Sequence, residues 1–351
     1  MTAGADHMRL SGLSAGALAA ALIVTAAFDG VTVLAESAPP HPSPPVAAIG
    51  ATIETLDLSR GSGAYPVFAS VDLHAGSTTA RQALVIIHGR LRNAADYYAT
   101  GLALTEAAGA AGEATVVVAP QFLNEQDASA NHISDRILRW NDDWGEGAPA
   151  KSSASSSDAP SASSYDVLDD VVAKLSNAAA FPALKRVVFI GHGGGAQMLA
   201  RYAVVMRPQV GAAVRFVIAN AGTYLYPTTA RPLPVLDCPD FNLWKYGLDK
   251  PPPYVRNAGA ILKDFAARDI TLLLGASDKK ASGILDQSCA AKTQGHNRLE
   301  RGRNFAQAMT ASGLAPRLKH AIVADTGHDE RGMLLSHQAG DAIFASGDLA
   351  R

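Results

Sequence analysis

The chain is short of cysteine, of charge and of aromatic residues, and each shortage excludes a class of protein. Its only two cysteines, Cys238 and Cys289, stand 51 positions apart in 351 residues. Thiolate metal sites draw their ligands from close pairs, so this spacing does not describe one. No His, Cys or Asp cluster at ligand spacing occurs elsewhere, and neither a metal nor a cofactor is expected. Charged residues make up 18% of the chain and the formal net charge is −2. A nucleic-acid binder carries a clustered basic surface, and none is visible here, so no nucleic-acid partner is expected. Aromatics supply only 6%, yet hydrophobic residues reach 48%. Aliphatic side chains must therefore fill a core, and a chain of this length can bury a large one. No internal repeat is found.

What is present begins with an uncharged run from Leu10 to Phe28, followed by small residues that offer cleavage after Ala35 or Ala27. This pattern predicts a signal peptide over 1–35, a Pro-rich spacer over 36–50 and one α/β domain over 51–351. The run is long enough to span a bilayer, so a retained anchor is the other reading. Export to the periplasm or beyond, with no stable membrane association after cleavage, is the expectation. An oxidising compartment would let Cys238 and Cys289 pair, the alternative being two buried thiols.

Continuous apolar runs alternate with helical patterns along the domain. Strand signals fall at 51–58, 65–73, 83–89, 114–120, 186–191, 214–222, 270–278 and 317–328, the first two as an antiparallel hairpin. Helices are expected near 94–108, 165–179, 256–267, 298–311 and 329–345. This order predicts a mainly parallel, doubly wound sheet covered on both faces. Two stretches interrupt it: a Ser/Ala/Pro-rich insert near 148–164, preceded by Trp140 and Trp144, and a Pro- and aromatic-rich segment over 223–256, expected to form a rigid cap.

Ligands of open α/β sheets sit at the carboxyl ends of the strands. Four such ends carry polar motifs: "IIHGR" at 86–90, "GHGGGAQ" at 191–197, "LLLGASD" at 272–278 and "VADTGH" at 323–328. The second lies between a buried strand and an apolar-periodic helix, the context of a nucleophile elbow, G-x-S-x-G, but with Gly193 in the serine slot. Taken together and in this order, the motifs resemble the α/β-hydrolase family over roughly residues 50 to 351. "GHGGGAQ", "CPDFNLWKYGL" and "LDQSCAAKTQG" are further similar to exported bacterial members whose elbow reads G-H-S-x-G-G-Q.

The resemblance implies roles for individual residues. Asp278 would orient His328, and His328 would take a proton from a nucleophile at position 193. The N–H groups of Arg90 and Gly194 would form the oxyanion hole. His88, Gly89, His192, Trp144, Tyr224 and Trp244 would line the substrate site. Asp269, Asp286 and Asp325 are alternatives to Asp278, and His320 and His337 weaker alternatives to His328. The rival G-x-G-x-x-A reading, a dinucleotide loop, lacks the acid expected at the end of the next strand, where Asn220 stands. Gly193 has no atom that can attack a carbonyl. Two readings therefore remain, a serine-type hydrolase of a small or polymeric ester with its nucleophile replaced, and a ligand-binding protein that never cleaves.

Overall fold

The computed structural model describes residues 43–56, 63–151, 162–207, 211–281 and 284–344. The expected leader, residues 36–42 of the spacer and the centre of the Ser/Ala/Pro-rich insert lie outside the described residues. In chain order come β1 (Thr52–Thr55), β2 (Ala64–Ala69), β3 (Gln82–Ile87), α1 (Ala94–Ala107), α2 (Ala110–Glu113), β4 (Thr115–Pro120), α3 (Glu125–Ala130), a 3-10 turn at Trp144–Glu146 and α4 (Ser164–Leu175). There follow β5 (Arg186–His192), α5 (Gly194–Val205), β6 (Ala213–Ala219), α6 (Ala258–Ala266), β7 (Asp269–Gly275), α7 (Cys289–Lys292), α8 (Arg298–Ala311), β8 (Lys319–Val323), α9 (Glu330–Leu334) and α10 (His337–Phe344).

Eight strands form one sheet in the order β1-β2-β4-β3-β5-β6-β7-β8. β2 runs antiparallel to β1 and β4, and every later pairing is parallel. The centre is buried on both faces because its strands carry no polar alternation. Val187 and Phe189 of β5 enter one hydrophobic cluster while Val188 and Ile190 enter the other. β3 divides likewise, with Ala83, Val85 and Ile87 on one side and Leu84 and Ile86 on the other. Register then aligns the carboxyl ends: Ile87 lies opposite Gly191, His192 opposite Ala219, and Gly275 opposite Val323. The loops that carry the motifs therefore leave the sheet along one edge.

Several elements depart from their expected bounds, while the stretch before α6 is irregular as expected. β6 stops at Ala219 because Asn220 takes a φ of 51°, outside strand geometry. The single helix expected over 329–345 is two, because the Ser336 hydroxyl accepts from Ala339 N (3.2 Å) and caps a new start. Between Asn220 and α6 the backbone forms neither helix nor strand, as its prolines require. Among the described residues, no helix is long and apolar enough to cross a membrane. Cys238 and Cys289 form a disulfide that ties this irregular segment to the start of α7.

Candidate active site

The strand β5, the turn and the helix α5 pack closely enough to need glycine. A Cβ on Gly191 would fall 2.8 Å from the Gly195 carbonyl carbon, and one on Gly195 would fall 2.3 Å from Ile87 O. Gly193 at the apex has φ 56° and ψ −108°, a conformation that L side chains rarely adopt. Its surroundings differ from those of its neighbours. A Cβ there would meet only His328, at 3.2 Å from Nε2 and 3.3 Å from Cε1. On the other side of the same ring, His328 Nδ1 lies 2.9 Å from Asp278 Oδ2. The ends of β5, β7 and β8 thus set position 193, an imidazole and a buried carboxylate in one line. Gly194 lies against the loop after β3, since a Cβ on it would be 2.9 Å from Arg90 N. Among the described residues, no hydrogen bond occupies the N–H of Arg90 or of Gly194.

Solved structures share the fold of this chain over most of its length. Poly(aspartic acid) hydrolase-1 from Sphingomonas sp. KT-1 is 21% identical with a TM-score of 0.57, and covers 86% of this chain and 99% of its own. LpqC, a poly(3-hydroxybutyrate) depolymerase from Bordetella parapertussis, is 22% identical with a TM-score of 0.54, and covers 83% of this chain and 89% of its own. The chain has the α/β-hydrolase fold. No protein-family model matches the sequence, and no curated protein does.

Within the α/β-hydrolase fold, Gly193, Gly194, Arg90, Asp278 and His328 converge. Gly89 joins them, with the Tyr97 hydroxyl packed so close that a Cβ would lie 2.8 Å from it. His192 is buried beside His328, with ring centroids 4.4 Å apart. Burial, then the neighbouring His328, pulls its pKa down to about 3, so it stands neutral.

Three of the expected substrate-lining residues face the core instead. His88 is fully buried; its Nε2 accepts from Phe122 N (3.0 Å), which leaves Nδ1 to donate to Gly89 O (2.8 Å). Burial lowers its pKa to about 4, so it shapes the loop before Arg90 as a neutral ring. Trp144 is buried behind it, 4.6 Å from the His88 ring and stacked on Phe122. Tyr224 is buried and stacked on Phe305 at 4.6 Å. Aromatic residues in irregular backbone carry no periodicity that would say which way they point. Trp244 is half-buried against the core, its indole N–H donating to Glu146 O (2.8 Å).

Several supporting residues carried little or no sequence signal. Buried Arg92 forms a two-point pair with buried Asp127 and donates to Arg90 O (3.2 Å), which props the loop from below. Asn220 accepts from Gly275 N (2.8 Å) and donates to Gly327 O (2.9 Å), which joins the loops that carry Asp278 and His328. Arg298, at the start of α8, places its Nη1 3.5 Å from Asp278 Oδ1. Of these, only Asn220 left a mark, as a polar residue ending an apolar strand. Among the described residues, no group of three or more His, Cys, Asp or Glu is arranged to hold a metal ion.

Proposed function

We propose that the chain is built as a serine-type carboxylic ester hydrolase in which Gly193 occupies the nucleophile position, so that it binds an ester without forming an acyl-enzyme. The observation that carries this reading is the 3.2 Å between the Cβ position of residue 193 and His328 Nε2. A side chain at 193 would point its first atom at the imidazole that should take its proton. In this reading Asp278 holds the ring and stabilises the imidazolium, while the Arg90 and Gly194 N–H groups receive the carbonyl oxygen as it gains charge. One solved neighbour is named for a polyester, poly(3-hydroxybutyrate), which supports a polymeric ester among the substrates, while the other is named for an amide-linked polymer. The disulfide supports a place outside the reducing cytosol.

Gly193→Ser should restore the nucleophile. The variant is expected to hydrolyse short p-nitrophenyl esters about six orders of magnitude faster than acyl transfer without a nucleophile allows. It should also take up a fluorophosphonate label at residue 193, read by mass spectrometry. A folded Gly193→Ser variant that neither hydrolyses nor labels would sink the hydrolase assignment and leave a binding protein.

A further inference from the structure

Glycine at 193 removes more than a hydroxyl, since alanine would remove that as well. Only glycine also clears the Cβ, and apart from chain neighbours the Cβ position has no atom within 4 Å except Nε2 and Cε1 of His328. Because the Cβ stands about 1.5 Å from its Cα, Nε2 lies no more than about 4.7 Å from the Gly193 Cα. An oxygen placed on the His328 side of that Cα can therefore touch it in van der Waals contact and still lie within hydrogen-bond reach of Nε2. The neighbouring N–H groups of Arg90 and Gly194 take no partner among the described residues. The protein supplies a base, an orienting carboxylate, two donors and room for a small oxygen nucleophile, without a side chain to compete for it.

We infer that this chain hydrolyses its ester slowly in a single displacement, with His328 activating a water seated over Gly193. The inference rests on the ester-hydrolase reading above. The water O–H bond breaks and its proton goes to Nε2, while the oxygen bonds to the ester carbonyl carbon. The carbonyl electron pair moves onto its oxygen, against the Arg90 and Gly194 N–H groups. The tetrahedral adduct then collapses, and the departing alkoxide takes the proton back from the imidazolium, giving acid and alcohol. Asp278 Oδ2, 2.9 Å from Nδ1, stabilises the charged ring throughout. No bond to the protein forms at any stage.

The test compares the chain with His328→Ala, Gly193→Ala and Gly193→Ser on p-nitrophenyl butyrate, by stopped flow and by fluorophosphonate labelling. The unaltered chain should turn over linearly, without a burst and without label. His328→Ala should lower the rate by about 10²-fold or more, the usual contribution of a general base. Gly193→Ala should fall as far, because its methyl group fills the space at Nε2. Gly193→Ser carries the same Cβ and the same backbone strain, so its burst and label show that the alanine form is folded. If the unaltered chain is no faster than the His328→Ala or Gly193→Ala variant while Gly193→Ser bursts and labels, the water route falls and the hydrolase reading stands. A burst or a label on the unaltered chain means another nucleophile and also overturns the inference. An inert, unlabelled Gly193→Ser variant removes the reading on which it rests.

Discussion

At the scale of single residues, His88 and His192 show why the motifs were legible and some of their roles were not. Both sit in motifs that mark strand ends, and both turn inward, because alternate residues of a doubly covered strand face alternate cores. Each has a folded pKa below its unfolded value, at about 4 and about 3. The unfolded chain therefore binds protons that the native chain does not between those values and about 6.5. Stability should be complete above about pH 6.5 and fall as the pH drops through that window. Asp169, raised to about 6 by burial, acts in the opposite sense below pH 6. So do Asp143 and Glu330, also raised by burial, while Asp72 and Asp286, held low by hydrogen bonds, act with the histidines. Thermal melts at pH 7, 6 and 5 should show a falling Tm, and replacement of His88 by glutamine should flatten the trend. Arg92 offers a second residue-scale expectation. Arg92→Met leaves Asp127 buried and uncompensated, and should cost about 3–5 kcal/mol in denaturant unfolding. No spacing or pattern singles Arg92 out in "GRLRNA", since a buried ion pair between positions 35 apart exists only once the chain is folded.

At the scale of elements, the sheet is what the sequence makes plain, while the connections between strand ends are less so. Apolar runs of strand length separated by helical periods leave few ways to build the layers, and β3, β4 and β5 follow the expected bounds closely. The loops after β6, β7 and β8 are held together by polar contacts whose partners are distant in sequence. Ser277 N donates to Thr326 O (2.9 Å), and Asn220 bridges Gly275 and Gly327. Replacing Asn220 by alanine strands two backbone groups and should cost about 1–3 kcal/mol. In a Gly193→Ser background it should also loosen the Asp278–His328 alignment. Turnover should drop by up to about 10²-fold, with KM little changed, as expected when reacting groups shift rather than when binding surface is lost.

At the scale of the whole molecule, the 223–256 segment and the disulfide belong together. Without helix or strand of its own, the segment depends on buried aromatics such as Tyr224 and on the Cys238–Cys289 bridge. Closing a loop of 51 positions is worth about 4 kcal/mol in the chain-entropy model. Reduction should lower the Tm accordingly, and a Cys238→Ser, Cys289→Ser double variant should reproduce the loss. The apex glycine also bears on global stability. With φ at 56°, any L side chain at position 193 raises the energy of the native backbone, by about 1–3 kcal/mol for a residue held in so sparse a region. The Gly193→Ser form should thus melt below the unaltered chain even as it gains turnover. The glycine relaxes a spring that serine hydrolysis keeps wound, so in this molecule durability and speed pull on the same residue.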